Sequence, residues 1–219
     1  MRDLGRRPYA EALELQRELR RRRAQGELDH DVLLLTEHPP VVTLGRGTRP
    51  TSMPYPAALL ERRGVEVFEV ERGGDVTFHG PGQLVGYPIV DLTGHRRDLH
   101  WYLRRLEDSL ISAIERLGVP AGRNPGLTGV WTAGRKIASI GIHVKQWVTL
   151  HGFALNVATD LSWFDLIVPC GIEQVVMTSL AEELLREDRT ALEREARQAV
   201  TEAFAELFGY QVVAPLATP

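Results

Sequence analysis

A glycine-rich segment at residues 72–83, with the sequence RGGDVTFHGPGQ, most constrains how this chain can fold. Alternating apolar residues before it, at 65–70, and an apolar run after it, at 84–92, each predict a strand. A hairpin turn needs only about two to five residues, whereas this segment is longer and carries threonine, histidine and glutamine. Because glycine lets a backbone approach a ligand closely, we expect a ligand-contacting loop here rather than a plain turn.

This segment does not match the common phosphate-binding glycine motifs. It has no Gly-Lys-Ser/Thr sequence, and Gly80, Gly82 and Gly86 miss the dinucleotide-binding spacing by one residue. We therefore expect a ligand that is not held by either of these phosphate cradles.

Patterns along the rest of the chain predict a mixture of helices and strands. Helices are expected at residues 8–25, 54–63 and 98–117, and after two capping boxes that begin at Ser179 and Thr190. Strands are expected at residues 32–35, 41–44, 65–70 and 84–92, as hairpins within 129–157, and at 211–213. The order predicts an α/β (α+β) fold, with one domain over residues 1–219 that has a mixed β-sheet and flanking helices.

Composition is typical of a soluble globular protein, with 43% hydrophobic and 25% charged residues among 219. No window is apolar enough to span a membrane, and the charged N-terminus lacks the apolar region of a signal peptide. Cys170 is the single cysteine, so an internal disulfide is impossible. These features predict a cytoplasmic protein, and the net charge of −3 gives no reason to expect nucleic-acid binding.

Two residue types, cysteine and lysine, are candidates for chemistry because of where they occur and how rare they are in this chain. Cys170 lies between Pro169 and Gly171, which predicts a turn where a substrate could reach its thiol. The 26 basic residues include only two lysines, Lys136 and Lys145. Arginine cannot give up its proton in a protein, whereas a buried lysine can act as a general base as well as a cation.

The partner of the Cys170 thiol is left open by these patterns. A nearby cation would favour the nucleophilic thiolate, and that cation could be Lys136 or a histidine such as His79 or His151. Sequence spacing does not choose between them. A metal site is not expected, because the seven histidines form no metal-binding motif with cysteine or glutamate.

Four motifs taken together resemble one family. RGGDVTFHGPGQ, GRKIASIG, HGFALNV and PCG, in that order, closely resemble the lipoyl(octanoyl) transferases, the octanoyl-acyl-carrier-protein:protein N-octanoyltransferases. EHPP and TLGR add an N-terminal match, so that the resemblance covers almost the whole chain. Val42 departs from the pattern, since an aromatic residue is common there. The resemblance implies a fold shared with the catalytic domain of lipoate- and biotin-protein ligases.

The resemblance also implies which residues act. Cys170 matches the nucleophile that carries the octanoyl group as a thioester, and Lys136 matches the lysine that favours the thiolate and serves as acid and base. The substrate-contacting segments correspond to Arg72, Gly73, Gly74, Asp75, Val76, Thr77, Phe78 and His79, to Ser139, Ile140 and Gly141, and to Gly152, Phe153 and Ala154. Backbone N–H groups near Ser139 or Cys170 are candidates to bind the oxyanion.

The implied reaction moves an octanoyl or lipoyl group from acyl carrier protein to a lysine of a lipoyl domain. The implied acceptors are the 2-oxo acid dehydrogenase complexes and the glycine-cleavage H protein. No cofactor is expected, neither ATP nor a metal, because thiolate attack on a thioester only exchanges one sulfur for another.

Three other functions stay open at this point. An ATP-dependent lipoate or biotin ligase of the same fold would use Lys136 on an acyl-adenylate and would not need Cys170. A Cys-His hydrolase would use His79 or His151 as base and release free octanoate. A non-catalytic acyl-binding module would form no covalent adduct.

Overall fold

Two β-sheets form the framework in a computed structural model that describes residues 1–172 and 174–211. The larger sheet contains β1 (Arg2–Arg6), β2 (Val32–Glu37), β6 (Gln83–Ile89), β7 (Gly122–Asn124), β8 (Leu127–Thr132), β9 (Arg135–Lys145) and β10 (Val148–Asn156). Its strand order is β1-β2-β6-β10-β9-β8-β7, and only the β1–β2 pair is parallel. The smaller sheet contains β3 (Val41–Leu44), β4 (Glu66–Glu69) and β5 (Thr77–His79), in the order β4-β3-β5.

Within the described residues, five α-helices accompany the sheets: α1 (Tyr9–Ala24), α2 (Ala57–Arg62), α3 (Leu99–Arg116), α4 (Leu180–Leu184) and α5 (Arg189–Phe208). Helices α3 and α5 cover one face of the large sheet, where they share a core with Leu33 and Leu35 of β2. Helix α1 covers the opposite face, where Leu34 of the same strand is buried. Because β2 is buried on both faces, its sequence is a continuous apolar run rather than an alternating one.

The predicted α/β class with a mixed sheet and flanking helices is confirmed. The predicted long helices and hairpins lie within a few residues of their expected ends. Asp98 caps α3 by accepting hydrogen bonds from the N–H groups of His100 and Trp101. The predicted cap at Thr190 is wrong, since Asp188 caps α5 two residues earlier by accepting from the N–H of Ala191.

Strand β1 was not predicted, because its charged, glycine-containing sequence shows no strand pattern. The expected strand at 211–213 lies mostly outside the described residues. No helix within the described ranges is both long and apolar enough to cross a membrane.

The small sheet lies on the α1 face of the large sheet, and the glycine-rich segment joins the two. The N–H of Gly73 donates to the carbonyl oxygen of Ile142 in β9 at 2.8 Å. Strand β5 occupies the middle of this segment and pairs with β3. The prediction of a loop throughout residues 72–83 is therefore only partly right, because a short buried strand interrupts it.

Candidate active site

A cavity of about 220 Å³ lies between the two sheets. It is lined by most of the predicted site residues: Arg72, Gly74, Asp75, Thr77, His79, Lys136, Ser139, Ile140, Gly141, Gly152, Phe153, Ala154 and Cys170. Three predicted residues are not part of its lining. Val76 and Phe78 pack instead into a separate apolar core, and Gly73 holds β9 through its backbone. The glycine-rich segment thus contributes both cavity wall and scaffold.

Cys170 lies on a short 3₁₀ turn, Pro169–Gly171, with a left-handed backbone conformation (φ 57°, ψ 16°). Such a conformation costs about 1–3 kcal/mol in a residue other than glycine, so surrounding contacts must hold it. The N–H of Cys170 donates to the carbonyl oxygen of Val76 at 2.9 Å. The N–H of Val168 donates to the carbonyl oxygen of Ser52 at 2.9 Å, which fixes the beginning of the turn.

The buried carboxylate of Asp75 helps to hold the same turn. Asp75 accepts a hydrogen bond from the Ser52 hydroxyl at 2.7 Å and lies 3.4 Å from Nε of Arg49. Arg49 in turn donates from Nη2 to the carbonyl oxygen of Gly171 at 2.6 Å. The turn that carries the thiol is therefore clamped by side chains from two other segments.

Lys136 is 1% exposed, and its Nζ donates to Sγ of Cys170 at 3.2 Å and to the carbonyl oxygen of Thr128 at 3.0 Å. The ammonium also lies 5.3 Å from the centre of the Trp131 ring, within the range of a cation–π contact. The buried cation and the thiol are thus direct partners. Nζ of Lys136 is therefore placed to hydrogen-bond to the sulfur and to exchange a proton with it.

A β-bulge brings Lys136 to this position. Val130 of β8 pairs with Ala138 and Trp131 pairs with Lys136, so Ile137 is an extra residue in β9. Strict alternation would put Lys136 on the α3–α5 side with Ala138. The bulge instead turns it to the cavity side together with Ser139, whose hydroxyl lies 3.8 Å from Sγ.

The far part of the cavity is lined by aromatic and imidazole groups that are neutral near pH 7. Gln83 accepts the Nδ1–H of His79 at 2.8 Å, and burial lowers the pKa of His79 to about 3. His38 donates from Nδ1 to the carbonyl oxygen of Arg7, so its Nε2 accepts from the Tyr87 hydroxyl at 2.8 Å. Burial raises the pKa of Tyr87 well above its ordinary value. The walls therefore suit a long apolar group.

Sequence reasoning missed Tyr9, Val85, Tyr87 and Thr128 as lining residues. One signal was available: Val85 and Tyr87 alternate along β6, so they share one face. Tyr9 lies in the first turn of α1 and gave no such signal. His151 was considered as a base, and it does line the cavity, but its Nε2 is 3.6 Å from Glu71.

Arg72 lines the cavity, but its guanidinium is hydrogen-bonded to the protein itself and not exposed to a ligand. Its guanidinium donates to the carbonyl oxygens of Thr43 and Asp75, both at 2.7 Å. Burial lowers the pKa of Arg72 from its ordinary value. Its stem packs on Gly141, where an added Cβ would lie 2.9 Å from Cδ. Glycine is needed there because this arginine and β9 approach closely.

The geometry shows which side chain is the partner of the Cys170 thiol, a question that the residue patterns left open. The side chains that hydrogen-bond to Sγ within the described ranges are Lys136 and Ser139, not a histidine. A base with a pKa of about 3, such as His79, would also be ineffective near neutral pH. The backbone N–H of Cys170 is not free for an oxyanion, because it is bonded to Val76. The other backbone N–H groups expected near Ser139 or Cys170 stay a prediction, and the Ser139 hydroxyl, 3.8 Å from Sγ, is a further candidate donor.

Comparisons with known proteins agree on one family. The sequence profile of the lipoyl protein ligase A/B catalytic domain matches residues 8–205. An octanoyltransferase of Rubrobacter xylanophilus is 53% identical over 92% of this chain and 90% of its own length. An octanoyltransferase of Solibacter usitatus is 49% identical over 97% of this chain and 94% of its own. A bipartite lipoate protein ligase from Thermoplasma acidophilum superposes with a TM-score of 0.73 at 17% identity, over 99% of this chain and 86% of that one, which shows a shared fold.

Proposed function

The chain belongs to the lipoyl protein ligase A/B catalytic domain family and is an acyltransferase, and from this premise we propose that it transfers an octanoyl or lipoyl group from acyl carrier protein to a lysine of lipoyl domains. The transfer proceeds through a thioester on Cys170. The observation that carries this proposal is the 3.2 Å hydrogen bond from the buried Lys136 ammonium to the Cys170 thiol at the wall of the cavity. The acceptors are lipoyl domains of 2-oxo acid dehydrogenase complexes and the glycine-cleavage H protein.

In the first half-reaction, the Cys170 thiolate attacks the thioester carbonyl of the donor. A bond forms between Sγ and the carbonyl carbon, and the bond from that carbon to the phosphopantetheine sulfur breaks. The Lys136 ammonium gives its proton to the departing thiolate and becomes a neutral amine. The Ser139 hydroxyl donates to the oxyanion, a contribution that can reach about 3 kcal/mol for one such donor.

In the second half-reaction, the neutral lysine amine of a lipoyl domain attacks the Cys170 thioester. The attacking nitrogen loses a proton to the neutral Lys136, the amide forms, and the Cys170 thiolate leaves. Lys136 is again an ammonium next to a thiolate, so the cycle closes without another reactant. Both steps transfer an already activated acyl group, which is why no ATP or metal is invoked.

The cavity supports an acyl substrate of moderate length. Gly74, Gly141 and Gly152 line the cavity with their backbones, and Tyr9 and Tyr87 line it with their aromatic rings. Each buried methylene contributes about 0.8 kcal/mol, so an eight-carbon chain is favoured over short acyl groups.

Intact-protein mass spectrometry tests this function directly. Wild-type protein incubated with octanoyl-acyl carrier protein and no ATP is expected to gain one octanoyl group that hydroxylamine removes. Cys170→Ser should gain none, and an apo lipoyl domain should then receive the group from wild type on its lysine. Acylation of the lipoyl domain only when free octanoate and ATP are supplied would reject the transferase in favour of an ATP-dependent ligase.

A further inference from the structure

A second cavity, which the proposed chemistry does not use, lies at the outer end of β9. It has a volume of about 520 Å³, and we call it the basic pocket. Its polar lining consists of Arg17, Arg20, Arg46, His143 and Lys145, together with a single carboxylate, Glu71. Lys145 is the second of the chain's two lysines. The pocket therefore brings basic groups from α1, β9 and the segment after β3 to one place.

The single carboxylate of the basic pocket does not neutralise its basic side chains. Both carboxylate oxygens of Glu71 are hydrogen-bonded to Arg17, at 2.9 and 3.1 Å. Among residues 1–172 and 174–211, Arg20, Arg46 and Lys145 form no ion pair. A net excess of positive charge therefore faces the pocket.

One of these cations has an unsatisfied nitrogen. Nη1 of Arg20 is buried and has no hydrogen-bond partner within the described part of the chain. Leaving such a donor unpaired is costly, so it indicates a missing acceptor. Burial, and then the positive charge of Arg46, lower the pKa of His143, while Glu71 partly opposes this shift. The matching ligand is an anion with several acceptor oxygens, such as a phosphate.

The basic pocket lies on the same face of β9 as the thiol site. Ser139, Gly141, His143 and Lys145 alternate along that face, and Ser139 contacts the Cys170 thiol. His143 and Lys145 are four and six residues beyond Ser139, or about 13 and 20 Å along a strand. The segment from Arg46 to Arg49 connects the two places, since Arg49 binds the carbonyl oxygen of Gly171.

This separation suits the arm that carries the acyl group. The phosphopantetheine backbone is about as long as four to five amino-acid residues, and an extended chain of that length spans roughly 15 Å. We propose that the basic pocket binds the phosphodiester that joins the phosphopantetheine arm to the donor carrier protein while the thioester reaches Cys170. This inference rests on the proposed function and adds the site of donor recognition. Recognition of the phosphate would favour donors with a phosphopantetheine arm over thioesters that lack this phosphate.

Three octanoyl donors test the proposal: octanoyl-pantetheine, octanoyl-4′-phosphopantetheine and octanoyl-acyl carrier protein. Each is used with wild type, with the double variant Arg46→Glu/Lys145→Glu, and with Arg194→Glu. Arg46 and Lys145 are exposed, so reversing their charges should not unfold the protein. Arg194 is an exposed arginine on α5, on the opposite face of the large sheet, and controls for charge reversal alone.

For wild type, we expect kcat/KM to be on the order of tenfold higher with octanoyl-4′-phosphopantetheine than with octanoyl-pantetheine, because charge-assisted hydrogen bonds are strong. The double variant should lose that difference, mainly through KM, and lose as much with the carrier protein. It should match wild type with octanoyl-pantetheine, which also shows that its catalytic site is intact. Arg194→Glu should behave as wild type with every donor.

Three outcomes would overturn the inference. Wild type could use both small donors equally well, or the double variant could slow all donors alike. A loss seen only with the carrier protein would assign the pocket to the acidic protein surface instead of the phosphate. Failure of all three donors to acylate wild-type Cys170 would overturn the proposed function itself, and the inference with it.

Discussion

Replacing Gly171 by alanine tests whether the clamp on the catalytic turn positions the thiol. Gly171 follows Cys170 and has a φ of 63°, a left-handed conformation that alanine adopts reluctantly. An alanine Cβ would lie 2.6 Å from Nη2 of Arg49 and still closer to Oδ2 of Asp75. Both atoms belong to the clamp, so the substitution must move either the clamp or the turn.

The expected size follows from two separate costs. Alanine in a left-handed conformation costs about 1–2 kcal/mol of stability, which lowers Tm by roughly 2–8 °C in a protein of this size. Relief of the contact requires a shift of the order of 1 Å, since non-bonded carbon atoms prefer roughly 3.5 Å or more. A displacement of about 1 Å in a catalytic group can cost about 100-fold in rate. We therefore expect the acylation rate of Cys170 in Gly171→Ala to fall about 100-fold.

Gly26→Ala is the matched control. Gly26 has a φ of 74°, and a Cβ there would have no neighbour within 4 Å. The two variants share the conformational cost, so Tm should fall by that amount in Gly26→Ala and by at least as much in Gly171→Ala, but Gly26→Ala should keep wild-type activity. Stopped-flow acylation by octanoyl-acyl carrier protein gives the rate and calorimetry gives Tm. Acylation of Gly171→Ala within a few-fold of wild type would refute the view that this clamp sets the thiol position.

Three other expectations follow from the site and the core beside it. Lys136→Met keeps an unbranched side chain, one atom shorter, but removes the cation, so acyl-enzyme formation, followed by intact mass, should fall about 100-fold or more; a rate near that of wild type would remove Lys136 from the mechanism. Burial lowers the pKa of His38 to about 4 and that of His79 to about 3 in the folded protein, whereas the unfolded value is about 6.5. The two neutral histidines therefore contribute fully to the stability of the folded state above about pH 6.5, and this contribution is lost as the pH falls. Urea unfolding between pH 7 and 5 should show the free energy of unfolding falling below pH 6.5 by roughly 2.7 kcal/mol per pH unit, and a flat profile would contradict their neutral burial. Tyr87→Phe leaves Nε2 of His38 without a donor and should lower the free energy of unfolding by about 1–3 kcal/mol, whereas the exposed Tyr55→Phe should not change it.

The main elements and the chemical residue types could be predicted from the sequence because they depend on local patterns. Alternating apolar residues predicted most strands, and Asp98 predicted the beginning of α3. Cys170 and Lys136 were selected from their types and neighbours, and the motifs associated them with one family. None of these patterns reports distance, so they left the thiol's partner open; only the family resemblance implied Lys136, whose Nζ the fold places 3.2 Å from Sγ.

The position of Lys136 could not be predicted for a specific physical reason. A period-two reading of β9 assigns Lys136 to the same side as Ala138 and Ile140, which face α3 and α5. The extra residue at Ile137 reverses this assignment. A bulge depends on the register with the neighbouring strand and on the segment at 176–178, which exchanges two backbone hydrogen bonds with Lys136. Local sequence contains neither piece of information.

Contacts from distant segments also explain the backbone conformations of two other residues at the site, His151 and Cys170. His151 has a φ of 59° within β10, and its N–H is held by the side-chain oxygen of Gln16 from α1. Cys170 has a φ of 57°, and its N–H is held by the carbonyl oxygen of Val76. In both cases a distant acceptor holds a conformation that the residue would not adopt alone. Irregularities of this kind turn side chains toward the cavity that regular strands and turns would direct elsewhere. The geometry around the cavity is therefore a property of the assembled sheets, and substitution of Gln16, whose side chain is one of these acceptors, should affect the proposed activity although Gln16 does not line the cavity.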